Sequence, residues 1–82
     1  MSLETLNRII SCESGWFRLA RGGSYGQYVG LAQHVLSAWD DRFRSYAPDR
    51  WEMKNRWQNS RSMLTVTIRM MNAVGLSPWG CA

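Results

Sequence analysis

Apolar residues first recur at Leu3, Leu6, Ile9 and Ile10, the spacing of one helical face. Ser2 is a good N-cap ahead of them and Gly15 a good stop, so a first helix is predicted from Ser2 to about Gly15. Glu13 follows Ile9 and Ile10 by four and three residues and therefore ends the apolar stripe instead of joining the wet face. From Trp16 to Val29 the periodicity dissolves. Gly22, Gly23, Gly26 and then Gly30, with Tyr25 and Tyr28, predict a loop or a small irregular hairpin. Ala32, Val35, Leu36, Trp39 and Phe43 form the stripe of a second helix, Leu31 to Tyr46, which Pro48 ends. Asp49 is expected to cap a short third element through Lys54, anchored by Trp51 and Met53. Asn55 or Asn59 then opens a long helix to about Val74, with Met63, Leu64, Thr67, Ile68, Met71 and Val74 or Ala73 inward and Gly75 as terminator. The pattern is that of a small, mainly α domain with one functional loop.

Length narrows the picture. The 82 residues make one domain, 1–82, with one modest core. Five Trp call for a core of few, large side chains or an aromatic-lined groove. Trp39 and Trp57 read as core, as do Met63, Met70 and Met71, and Trp79 as a cover over a disulfide between Cys12 and Cys81. No apolar run approaches the ~20 residues of a membrane span, and no leader pattern is visible. The formal net charge is +4, and every cation except Lys54 is Arg. Such a surface attracts polyanions, whether nucleic acid, anionic lipid or bacterial wall. The arginines are scattered, with no basic run and no helix-turn-helix spacing, so no nucleic-acid partner is expected.

Cys12 and Cys81 lie near the two ends. They are either two free buried thiols or a disulfide tying the last residues to the first helix. A bridge over so long a loop would stabilise the fold by about 4 kcal/mol and imply an oxidising compartment. With a single His, His34, expected to face solvent or pack beside Gln33, neither a structural metal nor a cofactor is expected.

Glu13 is the residue of chemical interest. A carboxyl at the end of an apolar stripe is partly desolvated, which favours the protonated form needed by a glycosidic general acid. Around it stand Cys12-Glu13-Ser14-Gly15, then Gly30-Leu31-Ala32-Gln33, then Trp57-Gln58-Asn59, and finally Leu76-Ser77-Pro78-Trp79-Gly80-Cys81. In order and spacing these segments resemble the lytic transglycosylase family of lysozyme-like fold, most closely its small actinobacterial and phage-type members. Ala32 stands at the usual Met and Leu76 at the usual Trp. The resemblance covers nearly the whole chain.

The resemblance implies a lysozyme-like helical fold, a Cys12–Cys81 disulfide, an extracytoplasmic location and a monomer acting on peptidoglycan glycan strands. Glu13 would protonate the oxygen of the MurNAc-β-1,4-GlcNAc bond, then take the proton of the MurNAc C6 hydroxyl as it closes onto C1. The product is a 1,6-anhydro sugar, and no second carboxylate is required. Gln33 would bind sugar or Glu13, Ser14 would support Glu13 or the substrate, and Tyr25 and Tyr28 would stack on sugar rings. The alternatives are a hydrolytic muramidase, which needs a second carboxylate such as Asp40 or Asp41, and a catalytically inactive wall-binding module.

Overall fold

The computed structural model describes residues 1–47, 49 and 51–82. Helix α1 runs Leu3–Ser14. The Ser2 hydroxyl accepts from the Thr5 N–H at 3.1 Å, and Gly15 ends the helix in the left-handed region at φ 62°. Leu6, Ile9 and Ile10 are buried on its inner face, while Leu3, in the first turn, projects into solvent.

After α1 come three two-residue strands, β1 (Arg21–Gly22), β2 (Tyr28–Val29) and β3 (His34–Val35), in one antiparallel sheet of order β1-β2-β3. Gly22 pairs with Tyr28, and Val29 with both Arg21 and His34. The expected hairpin is present, with a third strand that shortens the second helix. Helix α2 begins at Leu36, not Leu31, and runs to Tyr46. The apolar spacing from Ala32 onward suits a helix, but Gly30 (φ 80°) and Gln33 (φ 54°) turn the backbone the wrong way for one. Gly30 is also a close approach: a β-carbon there would press on the Met63 side chain and the Trp57 carbonyl.

Helix α3 is Ser60–Val74. Of the two candidate starts Asn59 is the one used, its Oδ1 accepting from the Ser62 N–H at 3.0 Å; Gly75 closes the helix. Val66 and Met70 join Met63, Thr67 and Met71 in its buried face, whereas Ala73 and Val74, one or the other expected inward, are both exposed in the last turn. Among the described residues between α2 and α3 no short helix or strand forms. Asp49 and Trp51–Met53 make turns and bends, Trp51 is 80% exposed, and of the described residues from 49 to 54 only Met53 packs against the core. The Asp49 carboxylate is gripped by Arg69, at 3.2 and 3.4 Å, instead of capping a helix. That hydrogen-bonded guanidinium lowers its pKa from the ordinary carboxylate value. The helix stop expected at Pro48 lies outside the described residues.

Cys12 and Cys81 form a disulfide, so the turn-rich C-terminal segment folds back onto α1. The core joins Leu6, Ile9 and Ile10 of α1 to Trp39 and Phe43 of α2, the buried face of α3, and Trp79. No helix among the described residues is long and apolar enough to cross a membrane.

His34 is buried, which excludes the first of its two expected placements, facing solvent. Arg42 of α2 donates to its Nδ1 at 2.9 Å, which leaves the proton on Nε2 for donation to Thr67 Oγ1 of α3 at 2.8 Å. Its ring meets Trp39 and Trp79 edge-on. Burial first, and the facing Arg42 charge second, lower its pKa to about 4. Nothing local in the sequence marks this, because Thr67 and Trp79 are distant along the chain.

Candidate functional site

A cleft of about 440 Å³ opens where the last turn of α1, the β1–β2 hairpin and the C-terminal segment meet. Glu13 enters it from α1, Gly22, Gly23 and Tyr28 from the hairpin, and Gln33 from the turn before β3; Pro78, Trp79 and Gly80 form the opposing wall.

Glu13 is half-buried, and its Oε2 accepts from the Cys81 N–H at 3.4 Å. The disulfide lies beside this contact, joining Cys81 to the residue that precedes Glu13. Gln33 is fixed by its amide nitrogen, which donates to the carbonyls of Ala20 (3.2 Å) and Gly30 (2.9 Å). Its Oε1 then lies against Gly22, where any β-carbon would collide with it. The amide thus presents an acceptor at the cleft wall, and the hairpin must carry glycine to make room. Tyr28 pairs with Gly22 across the hairpin and offers a partly exposed ring to the cleft. Trp79 is anchored by its indole N–H on the Ala32 carbonyl at 3.0 Å and by His34 beneath it.

The structure therefore brings together Glu13, Gln33 and Tyr28. It does not bring Ser14 or Tyr25 to the cleft lining. The Ser14 hydroxyl bonds back to the Ile10 carbonyl at 3.3 Å within its own helix. Tyr25, 91% exposed, lies in the connection between β1 and β2, its N–H on Gln27 Oε1. Sequence reasoning did not single out Pro78, Trp79 and Gly80 as site residues. The available signal was Cys81: a residue bridged to Cys12 carries its neighbours to Glu13.

Among the described residues, Glu13 is the only acid lining the cleft. Asp40 and Asp41 are engaged on α2 instead, both with Arg44 and Asp40 also with the Asn55 amide. The chemistry on offer is one carboxyl oriented by a backbone donor, an amide oxygen, and aromatic faces that suit the C–H face of a ring-shaped, hydroxyl-bearing ligand. No protein-family model matches the chain, and no curated protein or solved structure matches it.

Proposed function

We propose that this domain is a small lysozyme-like lytic transglycosylase that cleaves peptidoglycan glycan strands, with Glu13 as both acid and base. The observation that carries the reading is the single carboxyl in a cleft otherwise walled by Gln33, Tyr28 and Trp79. A hydrolase with two carboxylates places them about 5–5.5 Å apart to retain configuration or about 6.5–9.5 Å apart to invert it. An intramolecular closure by the substrate's own hydroxyl needs one. The order of the sequence segments around Glu13 supports the same reading.

In the proposed cycle, Glu13 gives its proton to the glycosidic oxygen as the bond to C1 breaks and positive charge develops at C1 and the ring oxygen. The carboxylate then takes the proton of the C6 hydroxyl as that oxygen bonds to C1. Glu13 ends protonated, and no water is consumed. Gln33 Oε1 accepts from a sugar hydroxyl or N-acetyl N–H, and Tyr28 and Trp79 flank the rings. The disulfide supports an extracytoplasmic setting.

The test is digestion of purified peptidoglycan by the native protein and by Glu13→Gln, with released fragments weighed by mass spectrometry. Fragments one water lighter than hydrolytic products, absent with the variant, are expected. Hydrated ends that depend on Glu13 would replace the reading with a muramidase. Saturable wall binding without release, equal in both proteins, would replace it with a binding module.

A further inference from the structure

Among the links that join the C-terminal segment to α1, two lie side by side. Cys81 is bridged to Cys12, and its own N–H donates to the carboxylate of the next residue, Glu13. The rest of the wall does not depend on the bridge. Trp79 is buried, hydrogen-bonded to Ala32 and seated on His34. Between Trp79 and Cys81 stands Gly80, exposed and with open space around the position of a side chain. Arg8 reaches the Cys81 and Ala82 carbonyls at 3.3 and 3.5 Å, from an exposed side chain. Cutting the bridge would leave Trp79 in place and Cys81 held only by exposed contacts, the Arg8 bonds and the turn from the Ala82 N–H to the Trp79 carbonyl at 3.1 Å, so that its N–H could leave Glu13.

We propose that the Cys12–Cys81 disulfide is a positioning element of the site: it holds the Cys81 N–H on Glu13 Oε2 and so leaves Oε1 to exchange the proton with substrate. This rests on the reading of Glu13 as acid and base. A carboxyl free to rotate would spend much of its time with neither oxygen aligned, and misalignment of about 1 Å can cost about 100-fold in rate.

The test has a structural arm and a kinetic arm. In oxidised native protein, the Cys81 amide signal in NMR is followed through an acid titration. It should move with the carboxyl of Glu13, and the response should vanish in Glu13→Gln. It should vanish also after reduction with dithiothreitol, which yields two thiols as the reagent closes to its own disulfide. The same Cys81 response in Glu13→Gln, or an unchanged response after reduction, overturns the proposal. In the kinetic arm, reduced protein and Cys12→Ser/Cys81→Ser should lose about 10–100-fold in kcat on wall strands with KM within about twofold. An unchanged kcat overturns it. If the double variant fails to fold, the oxidised protein and Glu13→Gln still decide through the amide. If the oxidised native protein cleaves no wall strand, the proposed function falls, while the amide readings separately judge the positioning.

Discussion

The α2–α3 half and the cleft half of this domain share one apolar core but differ in what else holds them. Between α2 and α3, side chains such as Trp39, Phe43, Met63 and Val66 bury one another, and any well-packed helix pair would use the same device. The cleft half has two-residue strands, turns at positive φ, one glutamine amide spanning two carbonyls, and a disulfide. Burial tolerates some sliding, whereas backbone crossings and covalent links do not. The candidate chemistry sits in the half that fixes atoms, and stability is drawn heavily from the half that hides them.

The comparison breaks most visibly if the covalent link is removed. Cys12→Ser/Cys81→Ser opens a crosslink with a sequence separation of 69 and should cost about 4 kcal/mol in denaturant unfolding. Hydrogen exchange should then show protection disappearing first around the last turn of α1 and residues 76–82, with α3 protected longest. Equal loss in both halves would mean that they form one cooperative unit.

Acid sharpens the comparison, because His34 is the seam. It belongs to β3, yet bonds to α2 and α3 and underlies Trp79. An unfolded imidazole takes a proton below about 6.5, but the folded one does so only near about 4. Between those values the unfolded chain binds more protons, so stability is complete above about pH 6.5 and falls as pH drops towards 4. The loss approaches about 3 kcal/mol, readable as a shift of urea midpoints across that window. His34→Gln, retaining stability across that window as well as the native protein does at neutral pH, would confirm the source; an undiminished slope would locate it elsewhere.

The smallest effect is confined to the helical half. Asn59→Ala removes the α3 cap and should cost about 1 kcal/mol while leaving the proposed wall cleavage unchanged. A fall in cleavage larger than the fall in folded fraction would show that the two halves are coupled.

These differences also explain what the sequence could disclose. Helix α1 is readable at both ends, as Ser2 and Gly15 act within a turn of themselves, and the Asn59 and Gly75 boundaries of α3 are equally local. The start of α2 is not, since Ala32 and Val35 keep helical spacing while Gln33 adopts a left-handed backbone that no residue type announces. Trp51 misleads because an aromatic residue in a short segment says nothing of whether a neighbour will cover it. In the site, Glu13, Gln33 and Tyr28 are legible from local pattern and resemblance and reach the cleft. Ser14 satisfies itself on its own helix, a local alternative that spacing does not exclude. The opposing wall depends on a pairing across nearly the whole chain, which two cysteines allow but do not dictate.

That pairing also constrains how the molecule can travel. A chain joined at residues 12 and 81 is, when unfolded, closed into a ring between them. A pore wide enough for one extended strand would have to pass two strands abreast to admit it. The domain can therefore be threaded through such a pore only before the bond forms or after it is reduced. Until it is reduced, the bond that ties Cys81 beside Glu13 also bars the unfolded chain from such a pore.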